Sequence, residues 1–269
     1  MIRLPNINLP TTPDDKLKDY QADVDGKTTY AEKVAEGKRL FSSRNTRSNA
    51  TFRAVRQKLT EMCAGAQRCV YCEDSVGDEV EHIKPKDLYP EAVFRWDNYV
   101  YACGRCNGHK SNKFAVIDDD EELIVVTRPR GATVDPPAPG QSAFVNPREE
   151  DALTLFEVDL VDTFMILPAF DLEASALQRA EFTIETLDLN RDVLIEARRN
   201  AFSGYRARLF EYGMRKVLGD DLSAFRAEFL SSAHPTIWEE IKRQGAGLGQ
   251  NIPGLLDANP EVMGWTVAA

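Results

Sequence analysis

The sequence contains no run approaching the roughly 20 apolar residues that a membrane-spanning helix needs. Its first residues, MIRLPNINLPTTPDDK, hold no apolar core of a secretory leader, so a cytoplasmic location is expected. A Gly-x-x-x-x-Gly-Lys phosphate loop is also missing, which excludes an ATPase of that kind. No strand precedes the GAGLG segment at Gly245–Gly249, so it is no dinucleotide fingerprint and reads as a flexible tail. No internal repeat is evident, and cysteine is scarce. Four of the five cysteines fall in two Cys-x-x-Cys pairs, which in a reducing compartment argues for metal and against a disulfide framework. The fifth, Cys63, lies on the apolar side of an expected helix and should be buried and inert.

The net charge of −10 and sequence pI near 5.0 argue at face value against nucleic-acid binding. The charge is unevenly distributed, however. From Lys38 to Arg68 the cations Lys38, Arg39, Arg44, Arg47, Arg53, Arg56, Lys58 and Arg68 dominate. A second basic group, Arg198, Arg199, Arg206, Arg208, Arg215 and Lys216, falls on a long helical pattern, while acid is concentrated at Asp118–Glu122. Local potential near a phosphate matters more than the sum, so a basic face on an acidic protein remains open. The second group can equally be an ordinary solvated face, whereas the first leads directly into the cysteine-rich segment.

Along the chain, residues 1–48 read as an N-terminal arm, extended at first, with a short helix from about Thr29 to Phe41. In TFRAVRQKLTEMCAG the residues Phe52, Val55, Leu59 and Met62 recur at helical spacing, and Gly65 is placed to end the helix. Residues 49–130 form the expected core unit. The Pro- and Gly-rich stretch within 131–150 reads as a linker, and 151–269 as a mainly helical region opening with short strands. Apolar stripes there, such as Leu177/Ala180/Ile184/Leu187, are most simply core, and His234 before Pro235 reads as a surface turn residue.

The density of ligand-forming side chains peaks between Cys69 and Phe114. Cys69/Cys72 and Cys103/Cys106 supply four thiolates. A four-cysteine tetrahedral zinc site has no open position for water, so its role is structural. Between the pairs, EVEHI reads as a strand broken by Pro85, NYVYA from Asn98 as a second strand, and Cys106–Lys113 as the start of a helix.

This stretch resembles the HNH endonucleases, which build a ββα-metal site. The pattern Asp/Glu-His-Ile-x-Pro, then Asn, then His/Asn-x-x-Lys is matched by Glu81-His82-Ile83-Lys84-Pro85, Asn98 and Asn107-Gly108-His109-Lys110. The resemblance implies an α+β fold: a ββα-metal HNH core with a structural four-cysteine zinc, an N-terminal helical arm and a mainly α-helical C-terminal region. It implies His82 as general base, Glu81 and Asn107 as ligands of a catalytic Mg²⁺ or Mn²⁺, and Asn98 as the tie of the loop between the strands. Asn107 stands where many members have His, and an amide oxygen suits a hard cation. His109, two residues on, is the alternative ligand, but the spacing to Lys110 favours Asn107; Lys110, one turn from Asn107, would steady the phosphate. The cations Arg53, Arg56, Lys58, Arg68, Lys84, Arg105 and Lys113 are the candidate nucleic-acid contacts.

The chemistry agrees with these roles. A neutral imidazole takes a proton from water, and a hard cation held by one carboxylate and one amide keeps coordination sites for water and phosphate. RCVYCE, EHIKPK, CGRCNGHKSNKF, NPREED and AEFTIETLDLNRDVLIEAR are, further, similar to the HNH proteins of retron and Septu-type anti-phage systems. That similarity implies a separate ATPase chain as partner. The expected function is metal-dependent hydrolysis of DNA. The competing readings are an RNA-cleaving enzyme of the same type and a non-catalytic zinc module that binds nucleic acid or protein.

Overall fold

A computed structural model describes residues 1–249 and 251–266. The N-terminal arm is more helical than expected, because Thr11–Asp25 forms α1. Its polar composition conceals it. Only Leu17, Tyr20 and Val24 are buried, on one face at i, i+3 and i+7. Pro13 sits in the first turn, where a missing N–H costs no intrahelical bond. Helix α2, Tyr30–Arg44, opens with a capping box between Thr29 and Glu32.

In α3, Ala50–Met62, the Asn49 side chain accepts from the Phe52 amide, and Phe52, Val55, Leu59 and Met62 are buried as their spacing predicts. Gly65 follows with φ 51°, and a Cβ there would lie 2.3 Å from the Ser231 carbonyl oxygen. Only glycine fits both the left-handed backbone and that approach. Cys63, half-buried, donates to the Leu59 carbonyl, and burial pushes its thiol up to about 12, in keeping with an inert residue.

Strand β1, Glu79–His82, pairs antiparallel with β2, Tyr99–Ala102, placing Glu81 opposite Val100 and His82 opposite Tyr99. Helix α4, Gly104–Lys110, follows at once. This is the expected order of strand, loop, strand and helix. Next, β3 (Ala115–Ile117) lies between β4 (Leu123–Val125) and β5 (Gln141–Ser142). The stretch read as a linker thus carries β5 and the buried Ala143, Phe144 and Val145. A hairpin of β6, Phe156–Val158, and β7, Ile166–Pro168, precedes α5, Ala174–Thr186. Then come α6 (Asp192–Leu218), α7 (Phe225–Leu230), α8 (Pro235–Gln244) and α9 (Ile252–Ala258). The fold is α+β, and a continuous hydrophobic core joins Leu17, Phe52, Tyr99, Phe144, Leu209 and Trp238.

Three expectations for the C-terminal region are corrected. Arg198 does not belong to a cationic face: it falls in the buried stripe of α6 with Leu194, Phe202 and Tyr205, and its guanidinium donates to the carbonyls of Phe164 and Leu189. His234 is buried rather than a surface turn residue. It has φ 55° at the start of α8 and lies 3.5 Å from Asp74. Gly245–Gly247 is one 3-10 turn with Gly245 buried, not a loose tail.

Candidate metal centre and catalytic cleft

The four paired cysteines converge. Their Sγ atoms lie within 4.8 Å of one another, all four residues are buried, and Cys72 and Cys103 Sγ are 3.9 Å apart. Tetrahedral zinc with Zn–S bonds of about 2.3 Å needs sulfurs roughly 3.8 Å apart, so the donor set fits zinc. The hydrogen bond between Cys103 and Cys106 leads the shifts of both thiols, depressing Cys103 and raising Cys106. Sulfurs sharing protons in this way are what a divalent cation resolves by taking all four as thiolates.

The cluster is tied to the C-terminal region from two sides. Arg191, just before α6, points Nη2 at Cys106 Sγ from 3.7 Å. Glu73, next to Cys72, accepts from both the backbone amide and the hydroxyl of Thr236 in the first turn of α8.

Beside the cluster but separate from it is a cleft of about 310 Å³. Its lining includes Glu79, Glu81, His82, Lys86, Gly104 and Asn107. His82 closes the end of β1. Its Nε2 lies 2.9 Å from the Val93 carbonyl oxygen. A carbonyl only accepts, so Nε2 carries the proton and Nδ1 keeps its lone pair. No described residue bonds Nδ1. The ring packs on Phe41 and Tyr99, with centroids 4.4 and 5.1 Å away. Burial first, then the Lys86 charge, lowers the His82 pKa to about 3, so the imidazole is neutral at ordinary pH.

The loop presenting Val93 is braced from several directions. Asn98 accepts from the Lys84 amide at 2.7 Å and donates to the Lys84 and Ala92 carbonyls, tying the loop as its position suggested. Helices α1 and α2 brace the same loop, a role the sequence did not reveal. Gln21 donates to the Pro90 carbonyl and accepts from the Phe94 amide, each at 2.9 Å, and Tyr30 donates to the Leu88 carbonyl at 2.7 Å. Gly37 lets α2 approach Val93, because a Cβ there would sit 3.0 Å from its Cγ2.

Glu81 is buried, with Oε1 accepting from Lys110 Nζ at 2.7 Å and no described donor on Oε2. Lys110 is fully buried and also donates to the His82 carbonyl at 2.7 Å. It cannot steady a phosphate from there, which corrects the expectation. Instead it locks the end of β1 to α4. Replacing Lys110 with Met would leave a buried carboxylate without its counter-charge. We expect a loss of about 3–5 kcal/mol in urea unfolding of the zinc-loaded protein without other divalent ions. An unchanged midpoint would show that the pair carries no stability.

Asn107 lines the cleft, its Nδ2 donating to Glu79 Oε2 at 2.6 Å. His109 lies outside the cleft lining, 3.4 Å from Asp188, so it is no substitute ligand as placed.

The candidate nucleic-acid cations divide. Arg53 and Arg56 are occupied with carbonyls of the preceding loop, Lys58 pairs with Glu61 at 2.6 Å, and Arg68 donates to the Asp74 carbonyl. None of these four lines the cleft. Lys84, Arg105 and Lys113 are exposed on the segments flanking it. Sequence reasoning missed Glu79 and Lys86, both in the cleft lining. The available signal was the period of two from Glu79 to Glu81 and the Lys after Pro85.

Among known proteins, residues 69–113 match the family model described as HNH endonuclease. The chain is also 37% identical over 86 residues to the Septu protein PtuB of Bacillus thuringiensis. That alignment covers 30% of this chain and 30% of the relative.

Proposed function

We propose, from the HNH endonuclease domain at residues 69–113, that the protein is a metal-dependent nuclease that hydrolyses phosphodiester bonds of DNA. One observation carries the reading. His82 has Nε2 pinned to a carbonyl, which leaves Nδ1 as the unprotonated nitrogen of a residue that lines the cleft together with Glu81 and Asn107. In this reading His82 Nδ1 takes the proton of the attacking water, and Val93 fixes the tautomer throughout. Asn98 and Gln21 hold Val93 in place.

The Glu81 carboxylate and the Asn107 amide oxygen would hold Mg²⁺ or Mn²⁺. When bound, that ion supplies a Lewis acid for the phosphate and the departing oxygen. The donor chemistry fits, since hard oxygens from one carboxylate and one amide suit such an ion. Lys86, with Lys84, Arg105 and Lys113 beyond it, would meet backbone phosphates. The relative named as a Septu protein supports a defence nuclease, and the sequence similarity to anti-phage HNH proteins adds a separate ATPase chain as its partner.

The test incubates the protein with plasmid, single-stranded DNA and tRNA, each with Mg²⁺, with Mn²⁺ and with chelator. Cleavage of DNA that requires the divalent ion is expected. Cleavage of tRNA alone would move the substrate to RNA, and tight binding without turnover of any substrate would make this a non-catalytic zinc module.

A further inference from the structure

Glu79 has no role in the site as drawn so far, yet its carboxylate makes the closest polar contact of Asn107. Residues 79 and 81 share one face of β1, so the strand presents two carboxylates toward α4. Glu81 is buried and committed to Lys110, whereas Glu79 is exposed and reaches Asn107 with Oε2 at 2.6 Å.

An ionised carboxylate accepts hydrogen bonds and donates none, so only the NH₂ end of the Asn107 amide can face it. The amide is thereby fixed in one of its two orientations, with Oδ1 turned away from Glu79. Without that partner the amide is free to turn by half a rotation and bring its NH₂ where a cation needs oxygen. The backbone is shaped to allow the contact. A Cβ at Gly104, the first residue of α4, would lie 3.1 Å from Glu79 Oε1.

We propose that Glu79 is a positioning residue: it orients the Asn107 side chain so that Oδ1, not Nδ2, is offered to the divalent ion. The inference rests on the metal-site reading above. Partners that orient a metal ligand in this way are worth about 10- to 100-fold in affinity.

The experiment measures Mn²⁺ binding to the zinc-loaded protein by calorimetry, with zinc content as the check on folding. The proteins compared are wild type, Glu79→Ala, Asn107→Asp and the double variant. Glu79→Ala should weaken Mn²⁺ binding by about 10-fold or more. In the Asn107→Asp background the same change should cost nothing, because a carboxylate offers oxygen in either orientation.

An equal loss in both backgrounds would make Glu79 a direct ligand or a general source of charge and overturn the proposal. Wild-type affinity in Glu79→Ala would overturn it as well, with the nuclease reading untouched. A wild-type protein that binds no Mn²⁺ would remove the metal-site reading itself and this inference with it. Gly104→Ala supplies an independent check: it crowds the Glu79 carboxylate without touching Asn107 and should weaken Mn²⁺ binding in the same direction.

Discussion

Replacement of His82 with alanine is expected to lower the DNA cleavage rate by about 100- to 10,000-fold, the usual worth of a positioned general base. The zinc content should not change. Because His82 is buried against Phe41 and Tyr99, the substitution also leaves a cavity, with a stability cost on the order of 2 kcal/mol. The loop itself should survive, since the Val93 carbonyl keeps a second donor in the Tyr99 hydroxyl at 2.6 Å. A folded, zinc-loaded His82→Ala protein that cleaves at the parental rate would remove the base from the mechanism.

The same residue sets a pH signature. The folded imidazole stays neutral until the pH approaches 3, so the base remains competent through pH 6.5 and below, and cleavage should show no acid limb at the ordinary histidine value. Between pH 6.5 and about 3 the unfolded chain binds a proton at this residue that the folded chain does not. The His82 contribution to stability is therefore full above 6.5 and falls as the pH drops through that window.

Loss of the zinc should be more drastic. Binding of structural zinc contributes about 10–16 kcal/mol in small zinc modules, against a whole-domain stability of about 5–15 kcal/mol. Cys69→Ser, or treatment with a strong chelator, is thus expected to unfold the hairpin and α4 and, with them, the cleft. The effect should spread, because Arg191 donates to Cys106 and Glu73 holds Thr236 at the start of α8. Circular dichroism and thiol titration would follow it: four newly reactive thiols should appear on chelation, with Cys63, whose thiol burial pushes up to about 12, reacting last. A Cys69→Ser protein as soluble and as stable as the parent would sink the staple.

The four-cysteine cluster and the ββα order were legible in local spacing, whereas His82, Asn98 and Asn107 were singled out by the resemblance to the HNH pattern. Two cysteines per knuckle must reach one ion, and the strand and helix patterns between and after them are local. What escaped depends on contacts between distant segments. Helix α1 buries only three apolar residues, so its pattern was too thin to read, and nothing local reveals that Gln21 clamps the loop carrying Val93. Lys110 looked like a phosphate contact because it stands one turn from Asn107. It is buried because Glu81, which lies 29 residues earlier, meets it across the ββα unit. Arg198 was misread for a similar reason: the carbonyls of Phe164 and Leu189 that satisfy it lie on loops whose placement is not local information.

In the proposed reading two metals have separate jobs: zinc in the four-cysteine cluster would build the site, and a second divalent ion held by Glu81 and Asn107 would be needed to cut. The direct measurement is cleavage of plasmid by protein carrying one zinc per chain, assayed first with no other divalent ion and then across a Mg²⁺ titration, with circular dichroism recorded throughout. The zinc-only protein should be folded and inactive, and should gain activity with Mg²⁺ while its spectrum stays constant. Full cleavage by the zinc-only protein, or a fold that forms only when Mg²⁺ is added, would contradict that reading.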